Sequence, residues 1–328
     1  MRNIIQTACA AGLVFASLSS TAALSQTAPD QYPQRNVKFI LPFGPGTATD
    51  VAARMIAERL AKKWGKGVIV ENRAGGDGLI AIRAFIQAAD DHTLLYASSA
   101  NFIAHPYTLP TKVPYDLEKD LLPIARTTDT VVVVGVSAPT PVKTITELVA
   151  LALANPGKLN AAGAAGLPDF AIQAFIKKNG LQVTRVPYRD VVQGGRDLGD
   201  DRIQMLHASF AVMRPHLEAG KVRLLMNAAE RNDSMAPGLP TPSQAGFPEL
   251  GIETTVGLYG PAGMGLALRQ RISKDVLATL DDPQFIAKLT ATGQVLNAQG
   301  PDELAAALRR QAAAAAEMAK ILEIQPKQ

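Results

Sequence analysis

The run Val37-Lys38-Phe39-Ile40-Leu41-Pro42-Phe43-Gly44-Pro45-Gly46-Thr47-Ala48-Thr49-Asp50, continuing Val51-Ala52-Ala53-Arg54-Met55-Ile56-Ala57-Glu58-Arg59-Leu60, decides how the rest of the chain is read. Its first part is apolar and β-branched like a buried strand, and its second part repeats apolar residues at helical spacing. A glycine-containing loop therefore joins a strand to a helix. Such a helix start holds unpaired N–H groups and the positive end of the dipole, and Gly44 and Gly46 let another group approach the main chain closely. An anion suits the site. Asp50 reads more readily as a helix-start residue that meets local N–H groups than as a base.

Strand-like runs recur at 67–70, 94–97, 131–136, 182–186, 203–206 and 222–228, with helical patterns at 49–64, 144–154, 168–179 and 191–198. This alternation predicts an α/β protein whose mostly parallel sheets are flanked by helices. Loops at the C-terminal ends of parallel strands collect ligands. The loops 71–78 and 97–101 thus join the first one, and 161–166 and 188–190 face them from a second unit that opens at 131–134. Ser98 and Ser99 are hydroxyls at a strand end and are expected to meet ligand, whereas Gly75, Gly76 and Gly78 are equally explained by turn chemistry. The last helix starts at Pro301-Asp302, and its apolar stripe (Leu304, Leu308, Ala312, Ala315, Ala319, Leu322) reads as packing.

Residues 1–25 carry a basic start (Arg2), an apolar run at 8–18 and small residues toward Ser25, the pattern of a cleaved export signal. That run is too short for a membrane anchor, which needs about 20 residues. Removing those 25 of the 328 residues leaves 303 and takes away the one cysteine, Cys9, so disulfide and thiolate chemistry are excluded from the mature chain. The expected net charge falls from +4 to +3, because Arg2 is the only charged residue removed. Basic residues are scattered and not interleaved with aromatics, which argues against nucleic acid.

No cofactor or metal motif is legible. A dinucleotide loop would need a third small residue where Asp50 and Val51 stand, and Pro45 stiffens the turn. GxxxxGK[ST] and GxSxG are absent, and the four histidines (His92, His105, His207, His216) lack ligand spacing. His207 follows a strand-like run and could line a cleft. A hydrolase using His207 as base is accordingly the rival reading from a different functional class.

Several segments together carry a resemblance: Tyr32-Pro33; Pro42-Phe43-Gly44-Pro45-Gly46 with Asp50; Val70-Glu71-Asn72-Arg73-Ala74-Gly75; Pro114-Tyr115-Asp116; Ala154-Asn155-Pro156-Gly157-Lys158-Leu159; Val186-Pro187-Tyr188; Ala219-Gly220-Lys221-Val222-Arg223; and Gly257-Leu258-Tyr259-Gly260-Pro261-Ala262-Gly263. In this order and spacing the chain resembles the substrate-binding proteins of tripartite tricarboxylate transporters, the Bug-type periplasmic receptors. The resemblance implies a type II two-domain periplasmic binding protein, not an enzyme, that closes on a small carboxylate in an interdomain cleft and delivers it to membrane permease subunits. Presentation of the ligand to a sensor kinase is a further role it allows. Domain 1 is expected at 26–128 plus 248–328, and domain 2 at 129–247. Carried over by position, first-domain contacts are Phe43, Gly46, Thr47, Thr49, Asp50 and Ser98. Those of the second domain are Ala164, Ala165, Gly166, His207, Ser209 and Phe210.

Departures from the family pattern bear on specificity. The first loop keeps one glycine where a Gly-Gly pair is usual and supplies Thr47 and Thr49. The second-domain loop is Ala161-Ala162-Gly163-Ala164-Ala165-Gly166, without the usual Ser and Asn. Arg189 precedes Asp190 where Gly is common, and His207-Ala208-Ser209-Phe210 replaces an acidic residue beside Asn. These changes imply an apolar distal pocket, suited to a ring or alkyl chain whose single carboxylate sits on the first loop.

Overall fold

The computed structural model describes residues 29–188, 190–231 and 235–327. The export-signal reading and Arg189 lie outside them. Two sheets form. The first contains β1 (Val37–Leu41), β2 (Val68–Asn72), β3 (Thr93–Ser98), β4 (Leu122–Thr130), and, from the C-terminal part, β10 (Thr255–Gly260) and β11 (Gln294–Gln299), in the order β11-β4-β10-β3-β1-β2. The second contains β5 (Val132–Ser137), β6 (Asn160–Gly163), β7 (Thr184–Arg185), β8 (Met205–Ser209) and β9 (Val222–Asn227), in the order β7-β6-β8-β5-β9.

Both sheets are mixed, which corrects the expectation of mostly parallel ones. β1 is parallel to β2 and β3, and β6 to β7 and β8, but β10 is antiparallel to β3 and β4, and β5 to β8 and β9. The reason lies at the hinge. β4 runs through Val131 straight into β5, so one extended segment ends in the first sheet and begins in the second. Strands that start at the hinge (β5, β10 and β11) run opposite to those that arrive there. Backbone bonds knit this region: Val131 donates to Gly293 O (3.2 Å), Phe210 donates to Val131 O (2.8 Å), and Ile252 donates to Ala228 O (2.9 Å).

Helix Ala48–Trp64 buries Ala52, Ala53, Ile56, Ala57 and Leu60 against the first sheet and ends at Gly65, whose φ of 64° suits glycine. The final helix, Pro301–Leu322, buries Leu304, Leu308, Ala315 and Ala319, as the stripe predicts, and shares a core with Phe170, Ala171 and Ala174 of helix Leu167–Lys178 from the second unit. Among the described residues no helix is long and apolar enough to cross a membrane.

Candidate functional site

The first loop is held by a closed ring of bonds. Asp50, 2% exposed, accepts from Gly46 N (2.9 Å), Arg54 Nε (3.0 Å) and Asn72 Nδ2 (2.8 Å), and the same Asn72 amide donates to Phe43 O (3.0 Å). Burial pushes the Asp50 carboxyl up, but the bonds from Arg54, Asn72 and Gly46 together outweigh it and hold the group below the usual carboxylate range. Asp50 therefore spends its oxygens on the loop's own donors and shapes the loop, in keeping with the helix-start reading. Asp50→Ala is expected to cost about 1–3 kcal/mol by removing the buried acceptor that ties Gly46, Arg54 and Asn72 together, with faster hydrogen exchange at the Gly46 amide; unchanged exchange there would contradict the assignment.

Hydroxyls around the cleft divide by whether they already have partners. Thr47 is the N-cap of helix Ala48–Trp64: its Oγ1 donates to Gly44 O (3.0 Å) and accepts from Asp50 N (3.4 Å). Its proton is committed to the loop. Thr49, buried, accepts from Gln294 Nε2 (3.4 Å), and Ser99 accepts from Thr255 N (3.1 Å). Ser98 and Ser209, in contrast, have no side-chain partner among the described residues, although each caps a helical turn at a strand end, one in each unit. The N–H groups of Ala48 and Thr49, in the first turn, have no intrahelical acceptor.

On the second side, Gly166 caps helix Leu167–Lys178 with φ 89° and ψ −137°, a backbone that L side chains rarely adopt. Ala165 is exposed, Ala164 N donates to His207 O (2.9 Å), and Phe210 is buried in the second unit's core. The two sides touch: a Cβ on Gly166 would lie 2.5 Å from Ala100 O, and one on Gly293 would lie 2.6 Å from Ala211 Cβ. Beside this contact a cavity of about 200 Å³ separates Asp77, Asn101 and His105 from Gly166, Arg185 and Tyr188. The sequence marks the loops that supply several of these residues but not their roles. His105 donates through Nε2 to Asp77 O (3.0 Å) and so accepts from the Tyr115 hydroxyl at Nδ1 (2.6 Å); burial lowers its pKa.

His207 is not in the cleft. The strand reaches Ser209 and does not stop at 206, so His207 stands inside β8, paired with Val134 on one side and Gly163 on the other, and is 0% exposed. Its Nδ1 faces Pro168 O (3.2 Å); a carbonyl only accepts, so this nitrogen carries the proton, while Nε2 is buried without a partner. Burial lowers its pKa to about 4. The role of base fails on this geometry, because no substrate atom reaches the ring. Away from the cleft, Asp90, Asp91 and His92 lie close enough to share an ion, but His92 already meets Asp91 Oδ1 at Nδ1 (2.5 Å) and Gln34 N at Nε2 (3.1 Å).

Comparisons with known proteins agree on one family. The family described as "Tripartite tricarboxylate transporter family receptor" matches residues 52–315. A UPF0065 protein of Bordetella bronchiseptica is 30% identical over 91% of this chain and 87% of its own, and BugT of Bordetella pertussis is 26% identical over 92% of each. Among solved structures, an R. palustris protein with adipate is 25% identical with a TM-score of 0.75, covering 90% of this chain and 99% of its own. MatC of Rhodopseudomonas palustris, with bound malate, is 25% identical with a TM-score of 0.73, covering 88% and 99%. The chain belongs to the tripartite tricarboxylate transporter receptor family, whose members are periplasmic solute-binding receptors and not enzymes.

Proposed function

We propose that the chain is exported, loses its leader near Ser25, and captures a small organic acid by hinge closure for delivery to the permease subunits of a tripartite tricarboxylate-type transporter. The lobes that close are 26–128 with 248–328, and 129–247. One carboxylate binds at the start of helix Ala48–Trp64, on the N–H groups of Ala48 and Thr49. Ser98 and Ser209 contribute the side-chain donors, one from each lobe. A ligand touching both lobes stabilises the closed population relative to the open one. The distal wall, built from Ala164 and Ala165, carries no side-chain donor and favours an alkyl chain or ring.

The observation that carries this reading is the pair of uncommitted hydroxyls at two strand ends, one in each unit, beside helix starts with unmatched N–H groups. The related receptors solved with adipate and malate support a carboxylate cargo. Calorimetry against a panel of mono-, di- and aromatic carboxylates tests it, and a silent panel would remove its support. For the ligand found, Ser98→Ala and Ser209→Ala are each expected to weaken binding about 5- to 30-fold, as loss of a hydrogen bond of about 1–2 kcal/mol to a charged group implies. Thr47→Val should instead lower the melting temperature and leave affinity within about 3-fold, because its hydroxyl caps the helix.

A further inference from the structure

We propose, on the carboxylate reading above, that Arg54 decides which sign of charge the cleft accepts, acting through Asp50: by neutralising that carboxylate it leaves the start of helix Ala48–Trp64 net positive toward a ligand. Magnitudes make a cation necessary there. A helix start presents the equivalent of about half a positive charge, whereas an ionised Asp50 carries a full negative one. Asp50 Oδ2 accepts from Gly46 N (2.9 Å), and Gly46 stands two residues before Ala48, so at most about 7 Å of chain lies between the amide that meets Asp50 and the one offered to a ligand. A like charge at that range inside a protein is felt strongly, and the Asp50 side chain is only 3% exposed, so solvent does little to screen it. Left alone, Asp50 would turn a carboxylate away.

Arg54 is the only cation paired with Asp50 among the described residues. One turn further along the helix, it lays Nε against Oδ1 (3.1 Å) and Oδ2 (3.0 Å), and Nη2 against Oδ1 (3.0 Å) and Asn72 Oδ1 (2.9 Å). Asn72 brings Asp50 an amide donor but no charge. The neighbouring acid, Glu71, is matched separately by Lys38 Nζ (2.7 Å) and by Arg73, and neither of those cations pairs with Asp50. Removing the charge of Arg54 therefore leaves the bonds from Gly46 and Asn72 to Asp50 in place while reversing the sign at the helix start. The Arg54 side chain is half exposed, so its replacement opens no core.

Acetate is the probe, because it has no body for the distal wall to sort. Binding is read from saturable shifts of the Ala48 and Thr49 amide resonances during a titration at constant ionic strength. Arg54→Gln and Arg54→Met are each expected to raise the acetate Kd at least about fivefold. Arg54→Lys, which also loses the fork but keeps the charge, should stay within about twofold of wild type. If the fork mattered only for loop geometry, the lysine variant would weaken binding as much as the neutral ones. That result, or an unchanged Kd in the neutral variants, would overturn the role given to Arg54. A wild type whose Ala48 and Thr49 signals ignore acetate would instead remove the carboxylate site itself.

Discussion

Replacing His207 by leucine is expected to remove an acid-sensitive part of the folding free energy worth about 2–3 kcal/mol at about pH 4.5. The imidazole is fully buried in β8, and burial lowers its pKa to about 4, the bond to Pro168 O pulling the other way. In the unfolded chain the same group titrates near 6.5. Between these values the unfolded state binds a proton that the folded state refuses. The stability associated with the neutral ring is therefore complete above the unfolded value and is lost as pH falls from about 6.5 toward 4. Urea unfolding of wild type and His207→Leu at about pH 7.5 and 4.5 isolates the effect, since the carboxylates and other histidines are common to both proteins. Equal losses in the two would mean that the ring is protonated, or accessible, in the folded state. The leucine variant should also retain ligand affinity, because the ring lies in the interior of the sheet and does not line the cleft.

A methyl group at Gly166 should weaken carboxylate binding at least about 10-fold. Two effects combine there. The backbone at φ 89° and ψ −137° is one that non-glycine residues occupy only at a cost of order 1–3 kcal/mol. The added Cβ would also lie 2.5 Å from Ala100 O, an atom of the opposite lobe. That second clash exists only while the lobes are together, so Gly166→Ala penalises the closed state beyond its local strain. Gly157→Ala is the control: its φ is 73°, but nothing lies within 4 Å of the new Cβ. Affinity within about 3-fold of wild type is expected for Gly157→Ala, together with a larger ligand-free radius of gyration for Gly166→Ala alone. If both variants bound alike, closure across the Gly166–Ala100 contact would not be what holds the ligand.

Particular residues show where the sequence was and was not legible. Helix Ala48–Trp64 and the loop before it were readable because periodicity and chain-end donors are properties of one segment. Strands β4, β6, β10 and β11 were not. β4 carries Arg126 and Asp129, which look like loop residues until each is buried against the other at 2.7 Å. β6 is Asn160-Ala161-Ala162-Gly163, with no β-branched residue to mark it, and Gly163 is required because a Cβ would meet the Asp169 backbone at 2.3 Å. In β10, Gly257 leaves room for Leu304 of the final helix, whose nearest atom would lie 2.9 Å from a Cβ. A three-residue error at the end of β8 had the largest consequence, since it moved His207 from a strand interior to an imagined cleft edge.

By itself the sequence determined the α/β rhythm, the strand–loop–helix that offers unmatched N–H groups to an anion, the export signal as an expectation and the family pattern along the chain. Only the tertiary structure decided which hydroxyls remain available, which way the hinge strands run and which polar groups are buried. The physical reason is one of range. Helix ends and apolar spacing depend on neighbours a few residues away, whereas the Asn72 amide that ties Asp50 to Phe43 O, the Gln294 amide that donates to Thr49 and the Ala100 carbonyl beneath Gly166 come from distant parts of the chain. Thr47 and Ser98 look alike as sequence. The fold commits the first to its own loop and leaves the second without a side-chain partner among the described residues.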